Sequence, residues 1–210
     1  MAKTVMTPIG VLNFPHFYTA STNKENPNQG PRFSGMLLFD DLGTQSTAYK
    51  ELRASVMEAI VDKFGAAKAA DPAFIRSLRL PFRDAADKSY NGFENGSIFI
   101  SAWAREEDGA PEVVDLHGTT IQVPADVFSG QLARFTVRPF AYDSNGNKGA
   151  SFGLEHVQIV KADMPRLDGR QSADKAFAGG IDADQAKALG IDLSGGGSGS
   201  GPILDDDLPF

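Results

Sequence analysis

Through residue 165 the chain reads as runs of alternating apolar and polar residues around one stretch of helical spacing. Alternation sends successive side chains to opposite faces of a strand, so each run separates an inner face from an outer one. Residues 5–18 are rich in β-branched and aromatic residues, with Pro8 and Pro15 relegating parts of the run to an edge or a bulge. Further strands are expected at 32–40, 97–105, 132–142 and 150–161, and 113–123 has the form of a hairpin around Gly118. Between the second and third strands, Tyr49, Leu52, Val56, Ile60 and Phe64 recur at steps of three or four. That spacing predicts one amphipathic helix, capped by Ser46 or Thr47 and stopped by Gly65. Asp71-Pro72 opens a further short helical turn. Residues 23–31, 83–96, 106–111 and 143–149 are polar and turn-rich.

Five strands with one helix set among them predict a mainly β fold. The best match is an OB-fold-like five-stranded barrel with one main α-helix and extra loops. A sandwich with a helical cap is the rival. The chain shows no internal repeat. Beyond the strands the pattern changes. Residues 194–201 are SGGGSGSG, a flexible linker by composition. The expected organisation is a body at 1–165, a weakly ordered arm at 166–193, the linker at 194–201 and an acidic tip at 202–210.

Composition narrows the classes. The 210 residues are 41% hydrophobic and 22% charged, as in an ordinary globular protein. With no cysteine, disulfides, thiol catalysis and cysteine-held metals are excluded. No apolar run reaches the roughly 18–20 residues that span a bilayer, and no secretory signal opens the chain, so a cytoplasmic location is expected. The net charge of −7 is unevenly placed: 16 Lys and Arg face 19 Asp and Glu through Pro165, against 4 and 8 thereafter. An acidic chain argues against a phosphate-bearing partner unless the negative charge lies on a separable tail.

The strand faces supply the candidate chemistry. In the third strand Ile98, Ile100, Ala102 and Ala104 form an apolar inner face, opposite Phe99, Ser101, Trp103 and Arg105. In the fourth, Ala133, Phe135, Val137 and Pro139 face inward, opposite Leu132, Arg134, Thr136, Arg138, Phe140 and Tyr142. Aromatic residues interleaved with arginines suit single-stranded nucleic acid: rings stack on bases and guanidinium groups hold phosphates. The expected contacts are Phe99, Trp103, Arg105, Arg134, Arg138, Phe140 and Tyr142, with Lys148 in the adjoining turn. A second basic and aromatic run supplies Arg79, Arg83, Lys88 and Tyr90 as another wall. Outward aromatics also pack under loops, and outward arginines are often merely solvated; by that account Phe82 and Phe93 tuck inward.

Enzymatic chemistry finds little support. His16, His117 and His156 are far apart in sequence and in no metal-binding spacing. No phosphate-cradling glycine loop or nucleophile elbow occurs. Asp40 with Asp41, or Asp84 with Asp87, is read as a loop or cap feature rather than a magnesium site. No catalysis, metal, cofactor, small-molecule substrate or membrane association is expected.

The tip Asp205-Asp206-Asp207-Leu208-Pro209-Phe210, after its glycine-rich linker, resembles the acidic tip of bacterial single-stranded DNA-binding proteins. The body resembles instead a phage family of single-stranded DNA-binding proteins with an elaborated oligonucleotide-binding fold. The resemblance is carried by FAYDSNGNKGASFGLEHVQIV at 140–160, by LPFRD at 80–84 and by FSG at 128–130, and covers most of 5–177 in element order. It implies replication or recombination work in the cytoplasm of an infected bacterium. It also implies replication and recombination proteins as partners of Asp205 through Phe210. One departure is that the body carries −3 where many such proteins are basic, so local pattern and stacking must do the binding. Two alternatives stay open: a β-rich scaffold whose tail recruits replication enzymes without DNA contact, and a strand-annealing or RNA-binding protein using the same face.

Overall fold

The computed structural model describes residues 3–22, 30–144, 146–169 and 183–191. The chain divides into two compact units, residues 1–170 and 171–210. The first holds β1 (Val5–Met6), β2 (Gly10–Ser21), β3 (Arg32–Phe39), α1 (Asp41–Gln45), α2 (Thr47–Phe64), α3 (Ala66–Ala69) and α4 (Pro72–Ser77). Then come β4 (Arg83–Asp84), β5 (Ile98–Arg105), β6 (Glu112–Val114), β7 (Leu132–Ser144) and β8 (Asn147–Lys161). The described part of the second unit is α5 (Ala183–Ala188) with the turn after it. The linker and acidic tip lie outside the described residues, as do residues 170–182 of the arm and most of the loop at 23–31.

Neighbouring strands run β7–β2–β3–β5–β8, and β8 pairs again with β7, so five strands close in a ring. β1 pairs antiparallel with β7 at Thr136 and Val137, β6 runs parallel to β8, and β4 pairs with the start of β5. The expected mainly β, OB-fold-like arrangement of five strands and one main helix is therefore present.

The inner faces are the expected ones. Ile100, Ala102, Ala133, Phe135 and Val137 are fully buried, joined by Phe152, Leu154, Val157 and Ile159 of β8. α2 packs across β7, β1 and β8 and buries Tyr49, Leu52, Val56 and Ile60. Ser46 is its cap: the Tyr49 N–H donates to Ser46 Oγ at 3.1 Å. Gly65 ends it with φ +86, a conformation glycine adopts without steric cost.

The run at 5–18 splits around Pro8 into β1 and β2, and β2 bulges between Asn13 and His16, about Pro15 as expected, with Phe14 at φ +50. Two other local expectations change. The turn expected at 143–149 is mostly strand, because Asp143 pairs with Lys148 and Ser144 with Asn147, leaving two residues between β7 and β8. Of the hairpin at 113–123 only the β6 arm is a strand; a single bridge, Val114 to Thr120, marks the return. The loop is wound round Asp115, whose carboxylate accepts from the N–H groups of His117 and Thr119, both at 2.8 Å. Those bonds, the Thr119 one foremost, hold its pKa below the usual carboxylate range.

Candidate nucleic-acid interface

The outer face of the ring carries one continuous row. Paired positions run His16 to Ser34, Ser34 to Trp103, Trp103 to Gly153 and Gly153 to Arg138, across β2, β3, β5, β8 and β7. Further along, Phe140 faces Ser151 and Tyr142 faces Gly149. The residues of β8 on this face are Gly149, which Arg79 covers, then Ser151 and Gly153, and at Gly153 a trench opens between larger neighbours. Its volume is about 600 Å³, with Trp103 and Arg105 on one side, Arg138 and Phe140 on the other, and Glu155 and His156 at one end.

The aromatic groups are held in place. Trp103 Nε1 donates to Ser151 Oγ at 3.2 Å. Phe140 stands edge-on to the indole with ring centres 5.8 Å apart, and Tyr142 lies 6.5 Å beyond Phe140. All three are half-buried, so each is anchored yet keeps surface for a base.

The cations around them are mostly engaged. Arg138 pairs with Glu155, Arg105 with Glu107 at 2.9 Å, and Lys148 with Asp143 at 3.4 Å. Exposed pairs of this kind are weak and exchange readily for a phosphate. Arg32 differs: its guanidinium lies over the Trp103 ring, 3.8 Å from the centroid, and its buried Nε has no hydrogen-bond partner. Burial lowers the Arg32 pKa from its usual value, and the charge of Arg105 adds to the effect.

Arg79 joins this face through its backbone. Its N–H donates to the Lys148 carbonyl and its carbonyl accepts from Ala150, each at 2.9 Å. Arg79, Tyr142 and Lys148 therefore meet around Gly149.

Other expected residues sit elsewhere. Phe99 is a correction: it is 0% exposed, sealed with Leu38, Ala85 and Phe93 in a second small core. The segment at 83–95 folds over that end of β5, which strand alternation alone does not reveal. Phe82 is tucked in as well, against Tyr49 and Phe152. Arg83 is exposed on β4, opposite Phe99. Lys88 lies 5.8 Å over the Tyr90 ring, and Tyr90 meets Phe14 edge-on at 4.9 Å, forming a separate aromatic group. Arg134 stands apart from the trench: its Nε donates to Gln158 at 2.7 Å, and it borders another cleft with Met6 and Leu132.

Two residues of interest escaped the sequence pattern. Arg32 opens β3, whose outward set Arg32, Ser34 and Met36 carries the same polar signal as β5. Phe14 had no signal, because the bulge exposes it against the alternation. Among the described residues no three His, Asp or Glu side chains gather to hold a metal ion. No described helix is long and apolar enough to cross a membrane.

The closed ring with its single main helix and outward aromatic row defines the chain as mainly β and OB-fold-like. A family model described as the single-stranded DNA-binding protein of Enterobacter phage Enc34 matches residues 3–188, and the chain belongs to that family. Among solved structures it is similar to the single-stranded DNA-binding protein from bacteriophage Enc34 in complex with ssDNA. The TM-score is 0.61 and the identity 17%, covering 77% of this chain and 88% of that one. It is also similar to gp2.5, a single-stranded DNA-binding protein encoded by bacteriophage T7. That match has a TM-score of 0.53 and 13% identity, covering 88% of this chain and 97% of the other. No curated protein matches the sequence. At these identities the two structures speak to the fold.

Proposed function

We propose that the chain binds single-stranded DNA without sequence preference, as a replication or recombination protein in the cytoplasm of a phage-infected bacterium. The observation that carries this is the row Trp103, Phe140 and Tyr142, ranged along β5 and β7 beside the small residues Ser151 and Gly153 of β8. Bases stack on these rings, which need no base-specific hydrogen bonds. Arg79, Arg105, Arg138 and Lys148 flank the row as phosphate contacts. Arg83, Lys88 and Tyr90 extend the path toward the segment over Phe99. Family membership supports the assignment, as does a similar chain solved with ssDNA. The chain acts as a binding protein, not an enzyme.

The acidic tip is assigned two jobs. Asp205, Asp206 and Asp207 suit a partner's basic pocket, with Leu208, Pro209 and Phe210 filling an apolar slot. Tethered by the linker, the same tip competes with DNA for the protein's own trench at high effective concentration.

Trp103 is the single tryptophan, so intrinsic emission reports on the site directly. Titration with a poly-pyrimidine single strand at two salt concentrations is expected to quench it, more weakly at high salt and far less with a matched duplex. An unchanged emission together with no shift in a gel assay would refute this assignment and favour the interaction-scaffold alternative. Removing 202–210 is expected to tighten binding at low salt; unchanged affinity would refute the competition role and leave recruitment standing.

A further inference from the structure

Arg32 and Arg105 are directly opposite one another on β3 and β5. Like charges facing across a sheet are destabilising unless something neutralises them. Arg105 has an exposed partner in Glu107. Arg32 has none: no described carboxylate lies within ion-pairing distance, and its Nε is buried without an acceptor. A buried, unmatched donor on a cation is costly, and a charged acceptor relieves the cost. Meanwhile the flat guanidinium covers a face of Trp103 at stacking distance, 3.8 Å. A base can take that face only when the guanidinium leaves it. Both groups are planar and both stack on indole, so the exchange conserves the contact.

We propose, resting on the DNA-binding assignment above, that Arg32, Arg105 and Trp103 form a one-nucleotide subsite. The Arg32 guanidinium yields the indole face to the base, and then holds that nucleotide's phosphate jointly with Arg105. The phosphate supplies the missing acceptor for Arg32 and separates the two positive charges. The ligand class is a phosphate-bearing nucleotide within a single strand.

The test uses the full-length chain with a fluorescently labelled poly-dT oligonucleotide, measuring anisotropy across a salt series. Arg32→Ala and Arg32→Gln are each expected to weaken binding by about tenfold at low salt, as for loss of one charged hydrogen-bonding group. Each is also expected to flatten the log–log salt slope by about 0.7, the value for one phosphate contact on a single strand. Arg105→Gln should do the same. The double variant should lose less than the sum, because both arginines hold one phosphate. Arg32→Lys keeps the charge and should keep the slope. Thermal melting of each variant checks that the fold is retained.

An Arg32→Ala chain that binds as tightly as the original or tighter, with an unchanged slope, overturns the proposal and makes Arg32 a simple cover for Trp103. Fully additive Arg32 and Arg105 losses overturn the shared phosphate. If the unaltered chain fails to bind the oligonucleotide at any salt, the DNA-binding assignment itself falls and the subsite with it.

Discussion

Phe140 meets Trp103 edge to face, ring centres 5.8 Å apart and planes at 87°, although 37 positions separate them in the chain. The contact crosses from β7 to β5 over the small residues of β8 and fixes the orientation of both rings. A stacking platform gains from such rigidity, because little side-chain freedom is left to lose on binding.

Trp103→Ala and Phe140→Ala are each expected to weaken single-strand binding by about 1–3 kcal/mol. Since each ring braces the other, the double variant should cost less than the sum. Isothermal titration with one oligonucleotide length measures all three.

Releasing Arg138 should strengthen binding. Glu155 holds Arg138 and also accepts from Thr4 Oγ1 at 2.7 Å. Glu155→Gln removes a carboxylate that competes with phosphate. It is expected to raise low-salt affinity severalfold and to steepen the salt slope, read by anisotropy. A slope equal to that of the original chain would show that Arg138 never reaches a phosphate.

Phe99 should behave as a core residue. Phe99→Ala is expected to lower stability by about 3–5 kcal/mol in urea denaturation. Phe99→Leu, which keeps more volume, is expected to stay folded and to bind single strands within about twofold of the original.

Two neighbouring glycines should respond differently. A Cβ at Gly149 would lie 2.3 Å from the Arg79 carbonyl oxygen and 2.8 Å from the Tyr142 hydroxyl. Gly149→Ala is therefore expected to cost about 1–3 kcal/mol of stability and to weaken binding as Arg79 and Tyr142 shift. At Gly153 the nearest atom is 3.5 Å away, ordinary contact, so Gly153→Ala should melt like the original. Thermal melts of the two variants side by side check the contrast.

The ring, its helix and its inner faces were legible because they rest on short-range periodicity. Tyr49, Leu52, Val56 and Ile60 fall on one helical stripe, and Ala133, Phe135 and Val137 on one strand face, whatever packs against them. The fate of the outer face was less legible, because it depends on segments far away in sequence. Phe99 and Trp103 have the same parity on one strand. Only the fold-back of residues 83–95 decides that the first is sealed while the second stays half open. Arg134 and Arg138 likewise share a face but border different clefts, since β7 is long enough to serve two. Pro15 marks an edge or a bulge in the run at 5–18, but not that the bulge turns Phe14 outward against the alternation.

Ring closure fixes an order of events during synthesis. β2 is completed by its pairing with β7, where Gly10 meets Ala133 and Val11 meets Leu132. More than half the chain must therefore leave the ribosome before the earliest long strand finds that neighbour. Such distant pairings fold slowly compared with local ones. The β7–β8 hairpin, by contrast, joins neighbours and needs no wait. Because that hairpin also bears Arg138, Phe140, Tyr142 and Lys148, half of the proposed binding surface is the last part of the ring to be translated. A nascent chain halted before Leu132 would carry Trp103 and Arg105 but none of the residues that face them across the trench.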